Sequence, residues 1–465
     1  MSDENDLAHS PNPRREVEGE PTEAPGFVEA VVGAVVTRNV GVLRSLVADL
    51  HEADLARLLE ALPADERPRL IELLGPAFDF TALTELDETA RVQILESLST
   101  RTVVEGLRTL DSNDAVYILE DLDEAYKQEI LAYLPTPERA ALQRSLDYPE
   151  ESAGRRMQTE FIALPPFWTV GQTLDYIGDA EGLPEVFYEV FVVDPTYRLS
   201  GSVPLDRLLR TRRGVKLGEV VTPDRHVVKA TDDQENVARI FERYNLISMP
   251  VVDESARLVG VLTVDDIVDV IQEEADEDLK ALGGVAGDEE LSDSFWYIAR
   301  SRFSWLFLNL IAANLASFVI SMFEGELQKM VALAVLMPIV ASQGGNAGTQ
   351  TMTVAVRALA TRELRPSNAK RIIARELLVG LFNGVVFAVI MAVVVFARFG
   401  IADLGFVIAL AMIINLVAAA LGGILIPLAL DRLKVDPAVS SGPFVTTVTD
   451  VVGFFAFLGI ASLWF

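Results

Sequence analysis

The sequence has no cysteine, which excludes disulfides and thiolate metal sites. It has only three histidines, His9, His51 and His226, all ahead of the strongly apolar part of the chain. A membrane-embedded protease of the HExxH kind is therefore excluded. The first 26 residues (MSDENDLAHSPNPRREVEGEPTEAPG) lack the apolar core of a secretory leader. They read as a disordered tail, with the N-terminus expected in the cytoplasm. Basic residues are scarce before Tyr297, where 27 Lys and Arg face 60 Asp and Glu. That deficit argues against nucleic acid as a partner and for solubility or cation binding.

What is present falls into two parts. Half the residues are hydrophobic while the net charge is −29, a combination that conflicts in one globule and agrees when the two properties are segregated. From Tyr297 onward twelve basic and eight acidic residues leave a net charge of +4. The front is an acidic soluble assembly and the back a membrane domain, and the length allows about three domains in all.

From Phe27 to Asp147 leucines recur at helical spacing between short Pro or Asp breaks. Leu50, Asp54, Leu58, Leu59 and Leu62 superimpose at a 60-residue offset on Leu110, Asp114, Ile118, Leu119 and Leu122. Helical units that cannot bury their apolar faces alone stack into a superhelix; an ordinary helical bundle fits the same pattern. From about Ser152, β-branched strands alternate with helices. Phe187 to Arg210 and Leu246 to Gln272 share one plan of strand, Asp- and Gly-bearing turn, strand and helix. The two stretches look like a tandem pair of CBS motifs. Gly260, Thr263 and Asp266 fit the pattern that contacts phosphate and ribose in nucleotide-binding members. The first copy has Gly201, Pro204 and Asp206, without the threonine. Such pairs regulate a neighbouring domain more often than they do chemistry.

Residues 265–278 hold eight carboxylates and no basic residue. On a helix, Asp266, Asp269, Glu273 and Glu277 share one face, where each like-charge pair costs a few tenths of a kcal/mol. A divalent cation would relieve that repulsion, and a solvated face would tolerate it. Gly283, Gly284 and Gly287 then loosen the chain ahead of the membrane.

Five apolar spans follow, near 303–323, 331–356, 372–396, 404–430 and 443–465. Arg300 and Arg302, the six basic residues from Arg357 to Arg375, and Arg432 with Lys434 mark one side, leaving Lys329 and Arg398 for the other. The positive-inside rule places the soluble domains inside and the C-terminus outside. The second span contains LMPIVASQGGNAGTQT (Leu336–Thr351), in which Pro338 removes a backbone donor and Gly344, Gly345 and Gly348 weaken the helix. Broken backbone is expected there, with Ser342, Gln343, Asn346, Thr349 and Gln350 supplying oxygens along a water-filled path; a small-residue packing seam is the other reading. The last span adds Thr446, Thr447, Thr449 and Asp450. An ionised Asp near mid-membrane costs about 2.5 to 3.5 kcal/mol on insertion scales. It must face protein, water or a cation, or else lie shallow and snorkel. An oxygen-lined path with one or two carboxylates suits hydrated magnesium, which dehydrates reluctantly.

With LMPIVASQGGNAGTQT, the DPA of Asp436–Ala438 and the TDVVGF around Asp450 in one chain, the sequence resembles the MgtE family of magnesium channels over almost its whole length. The resemblance implies a multidomain fold. Its parts are an all-α superhelical N domain (27–150), an α/β tandem CBS pair (151–275), a connecting plug helix (276–296) and an all-α five-span transmembrane domain (297–465). It implies a homodimer in the lipid of a bacterial cytoplasmic membrane, Mg2+ as the ion, ATP at the CBS pair in some members, no nucleic acid and no catalysis. By position, Asp450 would hold the hydrated ion, helped by the Thr446 carbonyl and by Gly345, Asn346, Thr349 and Thr353. Asp436, Asp233, Glu235, Asp266, Asp269, Glu274, Glu277, Asp278 and Asp114 would form the regulatory sensor, and Asp206 and Thr263 would contact nucleotide. The chain departs from the family's acidic pattern at Asn113, Tyr117 and Asn245, which implies weaker sensing or fewer ions. A coupled secondary transporter of divalent cations and a CBS-based sensor that moves no ion are the rival readings.

Overall fold

The computed structural model describes residues 26–465 apart from positions 49, 181, 185, 224, 225, 288, 290–293 and 366. The expected tail thus lies outside the described residues except for Gly26. The chain divides into two compact units, with the boundary between Ile271 and Gln272.

Among the described residues the first unit opens with nine short α-helices. They are α1 (Phe27–Val36), α2 (Val40–Val47), α3 (Glu52–Ala61), α4 (Arg67–Leu74), α5 (Glu88–Ser97), α6 (Thr100–Leu107), α7 (Ser112–Glu120), α8 (Glu124–Tyr133) and α9 (Thr136–Leu146). Asn39, Asp87, Ser99 and Asp123 cap α2, α5, α6 and α8 by accepting from backbone amides two or three residues on, each cap being worth about 1 kcal/mol. The leucines of the 60-residue repeat go inside. Leu58 and Leu59 on α3 and Ile118 and Leu119 on α7 are fully buried in one continuous apolar core that runs from Val31 to Leu142.

Arg91 on α5 is a charged residue buried against this core. It pairs with Asp121 at 2.5 Å, donates to the carbonyls of Leu83, Thr84 and Leu86, and lies 4.4 Å above the centre of the Tyr117 ring. Removing one partner of a buried, well-bonded pair costs about 3 kcal/mol or more. Arg91→Leu is therefore expected to lower the first unfolding transition of the full chain in calorimetry; an unchanged transition would show that the pair does not hold this core.

Two copies of one sheet plan follow. Ahead of both, α10 (Ala153–Arg156) packs into the core of the second copy, its Ala153 clustering with Val228 and Phe241. The first copy comprises β1 (Ala163–Leu164), α11 (Val170–Asp179), β2 (Glu189–Val193), β3 (Leu199–Pro204), α12 (Leu205–Arg210) and α13 (Leu217–Val220). The second has β4 (Val228–Lys229), α14 (Gln234–Tyr244), β5 (Ser248–Val252), β6 (Leu258–Thr263) and α15 (Val264–Leu282). In each sheet the first pair of strands is parallel and the second antiparallel. The register slips at the same place in both, between Val192 and Val193 and between Val251 and Val252. The halves meet through Phe191, Val193, Leu258 and Val261, and the Leu258 N–H donates to the Tyr197 carbonyl across the joint. Asn245 ends α14 in the left-handed conformation, with φ 50° and ψ 51°. Asparagine adopts that conformation more readily than most residues, which gives this position a backbone role.

The second unit begins within α15. The connecting helix is placed differently from the expected 276–296. Residues 264–282 contain no glycine or proline, so the helix starts directly after β6 and runs until Gly283 and Gly284, the latter at φ 73°, turn the chain. Lys280 Nζ donates to the Gly287 carbonyl at 2.7 Å, folding that loop back on the helix. The five expected spans are all helices: α16 (Phe295–Ser321), then, after the short α17 (Glu324–Lys329), α18 (Val331–Ala360), α19 (Ala369–Phe399), α20 (Ala402–Arg432) and α21 (Pro437–Trp464).

The broken backbone expected in the second span is not found. Helix α18 continues through Pro338 and all three glycines, because open backbone groups at membrane depth cost more than the weak helix propensity of glycine. The glycines serve close packing instead. At the centre of this unit lies α20, where Val407, Ile408, Ala411, Met412 and Ala419 are fully buried; α19 approaches it at Gly380, where a Cβ would lie 2.9 Å from the Leu416 carbonyl oxygen.

Candidate functional site

The oxygen-bearing residues of the second span fall on one side of α18. Ser342, Asn346, Thr349, Gln350 and Thr353, at helical spacing, are all exposed, and Gly345 between them is half-buried. On α21, Thr446 is exposed and Asp450, one turn later, is half-buried. The two helices meet at Gly348, where a Cβ would stand 2.7 Å from Val445 Cγ1 and 3.3 Å from Thr449 Cγ2. Thr349 follows this contact on α18, as Thr446 and Asp450 follow Val445 and Thr449 on α21. The hydroxyls of Thr353, Thr446 and Thr449 donate to the carbonyls of Thr349, Gly442 and Thr446 within their own helices. Their protons are thus directed inward and their oxygens remain able to accept. Asp450 has no hydrogen-bond or ion-pair partner among the described residues. The strip is a row of neutral oxygens with one carboxylate, chemistry that suits a hydrated cation. Asp436 stands at the start of α21 as its cap, accepting from the Ala438 amide at 2.7 Å.

A second acidic group lies within the first unit, where α7 meets the start of α15. The Asn113 amide donates to Asp266 at 2.7 Å and to Asp114 at 3.3 Å, and Thr263 donates to the other oxygen of Asp266 at 2.6 Å. Burial pushes the Asp114 carboxyl up to about 7, reinforced by Asp111, Asp265, Asp269 and Glu85. Burial likewise takes Asp266 to about 7, with Asp265 and Asp114 adding to it and the Thr263 hydrogen bond opposing it. Asp269 is raised by burial and by Asp265. Among the described residues no three carboxylates or imidazoles converge closely enough to hold an ion alone. A hydrated ion bridging the Asp114 and Asp266 carboxylates through its waters is what such a pair can accept.

Of the other expected sensor residues, Asp233 caps α14 by accepting from Asn236 and Glu235 pairs with Arg239 on the same helix. Glu274, Glu277 and Asp278 lie further along α15, in the second unit.

Raised carboxyl pKa values make the folded first unit most stable where Asp114 and Asp266 are protonated in both states, below the ordinary carboxylate range near 3.8. That stability is lost as pH rises toward the folded value of about 7. Chelator-treated full-length protein is therefore expected to melt at a higher temperature at pH 5 than at pH 8, with Asp114→Asn narrowing the gap. Equal melting at both pH values would show that the cluster is not strained.

The proposed nucleotide residues are not brought together. Thr263 is buried with its hydroxyl committed to Asp266, while Asp206 is exposed on α12 beside Arg210. The cleft between the sheets, lined by Phe187, Tyr188, Glu189, Ser248 and Thr263, holds 20 Å³, room for a water molecule rather than a purine.

Family comparisons agree along the chain. Residues 337–460 match a family described as divalent cation transporter, 50–151 the MgtE intracellular N domain, and 217–273 the CBS domain. The magnesium transporter MgtE of Bacillus subtilis (strain 168) is 32% identical over 419 residues, covering 90% of this chain and 93% of the relative. The chain belongs to the MgtE family. The magnesium transporter MgtE of Thermus thermophilus is also 32% identical, over 90% of this chain and 94% of its own length. A crystal structure of the cytosolic domain of the Mg2+ channel MgtE in complex with ATP is 30% identical, with a TM-score of 0.50 over 52% of this chain and 99% of that one.

Within the MgtE fold, sequence reasoning missed two features. The Tyr117 ring meets two guanidinium groups, Arg91 at 4.4 Å and Arg156 at 5.5 Å from its centre, a role invisible in a residue read only as a missing carboxylate. The other is Asn415, fully buried in α20. The signal was available: Asn415 is the only polar side chain between Asp403 and Asp431 apart from glycine backbone.

Proposed function

We propose that this MgtE-family transporter is a magnesium-selective channel, that it admits Mg2+ down its electrochemical gradient, and that internal Mg2+ closes it. The observation that supports this most is the strip formed by Asn346, Thr349 and Thr353 on α18 and Thr446 and Asp450 on α21. These oxygens stand on accessible faces of helices that must lie in hydrocarbon, where lipid cannot solvate them. A second copy of the chain, placing its own strip opposite, would enclose a path lined by two Asp450 carboxylates. Hydrated Mg2+ is the substrate, held through its waters by neutral oxygens and by these carboxylates. In this homodimer the soluble units and the N-terminus lie on the cytoplasmic side, as the loop charges favour, with the C-terminus outside.

Closure rests on the acidic cluster. At low internal Mg2+ the Asp114, Asp266 and Asp269 carboxylates repel one another. At high Mg2+ a bridging hydrated ion favours whichever arrangement brings them together, a population shift by differential binding. Asp436, Asp233, Glu235, Glu274, Glu277 and Asp278 would take part through the partner copy and through α15. Asn113 replaces one charge in this cluster with a neutral donor that already bridges Asp114 and Asp266, so closure is expected to need more magnesium in this chain than in an Asn113→Asp variant. Adenine nucleotide at the CBS pair belongs to the same proposal and requires Phe187 and Tyr188 to move apart.

The test is Mg2+ uptake by liposomes holding the purified full chain, with a proton-sensitive dye inside. Uptake that follows membrane potential without proton movement is the expected result. Uptake with stoichiometric proton movement would replace the channel with a coupled transporter.

A further inference from the structure

We propose that Asn415 is a positioning residue for the permeation strip, setting the separation and register of α18 and α21. It sits on the fourth span, which supplies none of the strip's oxygens, and the inference rests on the reading of that strip given above. Asn415 has no exposed surface. Its Nδ2 donates to the Val340 carbonyl of α18 at 2.8 Å, while Oδ1 is buried with no partner among the described residues. The amide is gripped from two sides. A Cβ on Gly344 of α18 would lie 2.2 Å from Asn415 Nδ2 and 3.0 Å from Oδ1, and a Cβ on Gly453 of α21 would lie 2.7 Å and 3.2 Å from the same atoms. One side chain of α20 therefore fills the space left by two glycines on two other helices.

The positions of these glycines give the contact its consequence. Gly344 immediately precedes Gly345 and Asn346, and Gly453 follows Asp450 by three residues, a little under one helical turn. Any change in the volume or direction of the amide displaces both strip-bearing helices at the level of the strip itself. An apolar residue of similar size would satisfy the packing without leaving an acceptor unpaired in a medium that cannot solvate it. Retaining an amide there is poor design for stability alone. A directional hydrogen bond to one carbonyl fixes rotation and register in a way that a leucine does not, and this is the best-attested use of buried polar groups. The separation so fixed decides whether a cation passes with its hydration shell, and so discriminates Mg2+ from the larger Ca2+, which sheds water more readily.

The experiment uses the full chain in liposomes, with wild type, Asp450→Asn, Asn415→Leu, Asn415→Ser and Gly453→Ala measured side by side. The readouts are the Mg2+ concentration for half-maximal uptake, the Mg2+ to Ca2+ uptake ratio per folded protein, and the melting temperature. Asn415→Leu and Gly453→Ala are expected to retain uptake while the Mg2+ to Ca2+ ratio shifts by about tenfold, the scale that misplacement by less than about 1 Å produces at a positioned site. Asn415→Ser, which keeps a donor but frees space, is expected to shift the ratio less. Variants that lose only yield or melting temperature, with ratio and half-maximal concentration as in wild type, would overturn the proposal. Should Asn415→Leu give no folded protein, Gly453→Ala and Asn415→Ser decide the matter on the same two numbers. Asp450→Asn separates the two layers. If it transports like wild type, the strip itself is misassigned; if it is inactive while the Asn415 and Gly453 variants keep the wild-type ratio, only the role of Asn415 falls.

Discussion

Asp450→Asn is expected to abolish magnesium uptake while leaving the protein folded. Asp450 is the only acidic residue in α21, on a face that must meet water, a cation or another copy of the chain. A unit charge at about 4 Å and an effective dielectric constant of about 20 interacts by roughly 4 kcal/mol with a second unit charge. A divalent ion held through one water layer feels an effect of similar order, so the flux should fall by at least about a hundredfold. Asparagine has nearly the same shape, which removes packing as an explanation, and Asp450→Glu serves as a control that keeps the charge. Radiotracer or dye uptake into liposomes reads the result. Wild-type uptake by Asp450→Asn would remove the carboxylate from the path.

The second large effect is expected from Asp266→Asn combined with Asp269→Asn, which should leave a protein that still conducts at high internal magnesium. Asp266 takes hydrogen bonds from Asn113 and Thr263, and both carboxyls are raised by burial and by Asp265. Neutralising them removes the repulsion that opens the assembly and also the charge that a bridging ion would use. Closing then requires a higher concentration, by about tenfold for each 1.4 kcal/mol of differential binding lost. The uptake rate of the unblocked protein should be unchanged, because neither residue lies on a membrane helix. Closure of the double variant at the wild-type magnesium concentration would place the sensor elsewhere.

The layout was legible because each part has its own period. The 60-residue offset of Leu58 and Leu59 with Ile118 and Leu119 anticipated which side chains fill the helical core. The repeated strand, turn and strand plan anticipated two sheets built alike, and each apolar span coincides with one long helix to within two residues at its C-terminal end or lies inside it. Two local expectations failed for one reason, namely that propensity was read without tertiary context. Pro338 and three glycines suggested a broken helix, yet α18 is continuous and uses Gly344 and Gly348 to admit its neighbours. The connecting helix was expected at 276–296, across the glycines after Leu282, whereas it runs from Val264 to Leu282 and ends before them.

The site was legible as a set of residue types and less so as geometry. Asn346, Thr349 and Thr353 were named as oxygen-bearing residues, and only the continuous helix sets them on one exposed face of α18, with Gly348 packed against Val445 and Thr449 of α21. Asn113 and Tyr117 looked like lost charges, but in three dimensions Asn113 bridges two carboxylates and the Tyr117 ring meets two arginines. Asn415 escaped notice because a lone amide in an apolar helix has no motif; its meaning comes from Gly344 and Gly453, far away in sequence.

The most direct measurement is the current through patches of reconstituted full-length protein while magnesium on the side of the soluble units is stepped from near zero to several millimolar. A channel closed by internal magnesium gives current at the low concentration and loses it at the high one. Absence of current at both concentrations, from protein that still moves magnesium into liposomes, would contradict the channel and leave a coupled transporter in its place.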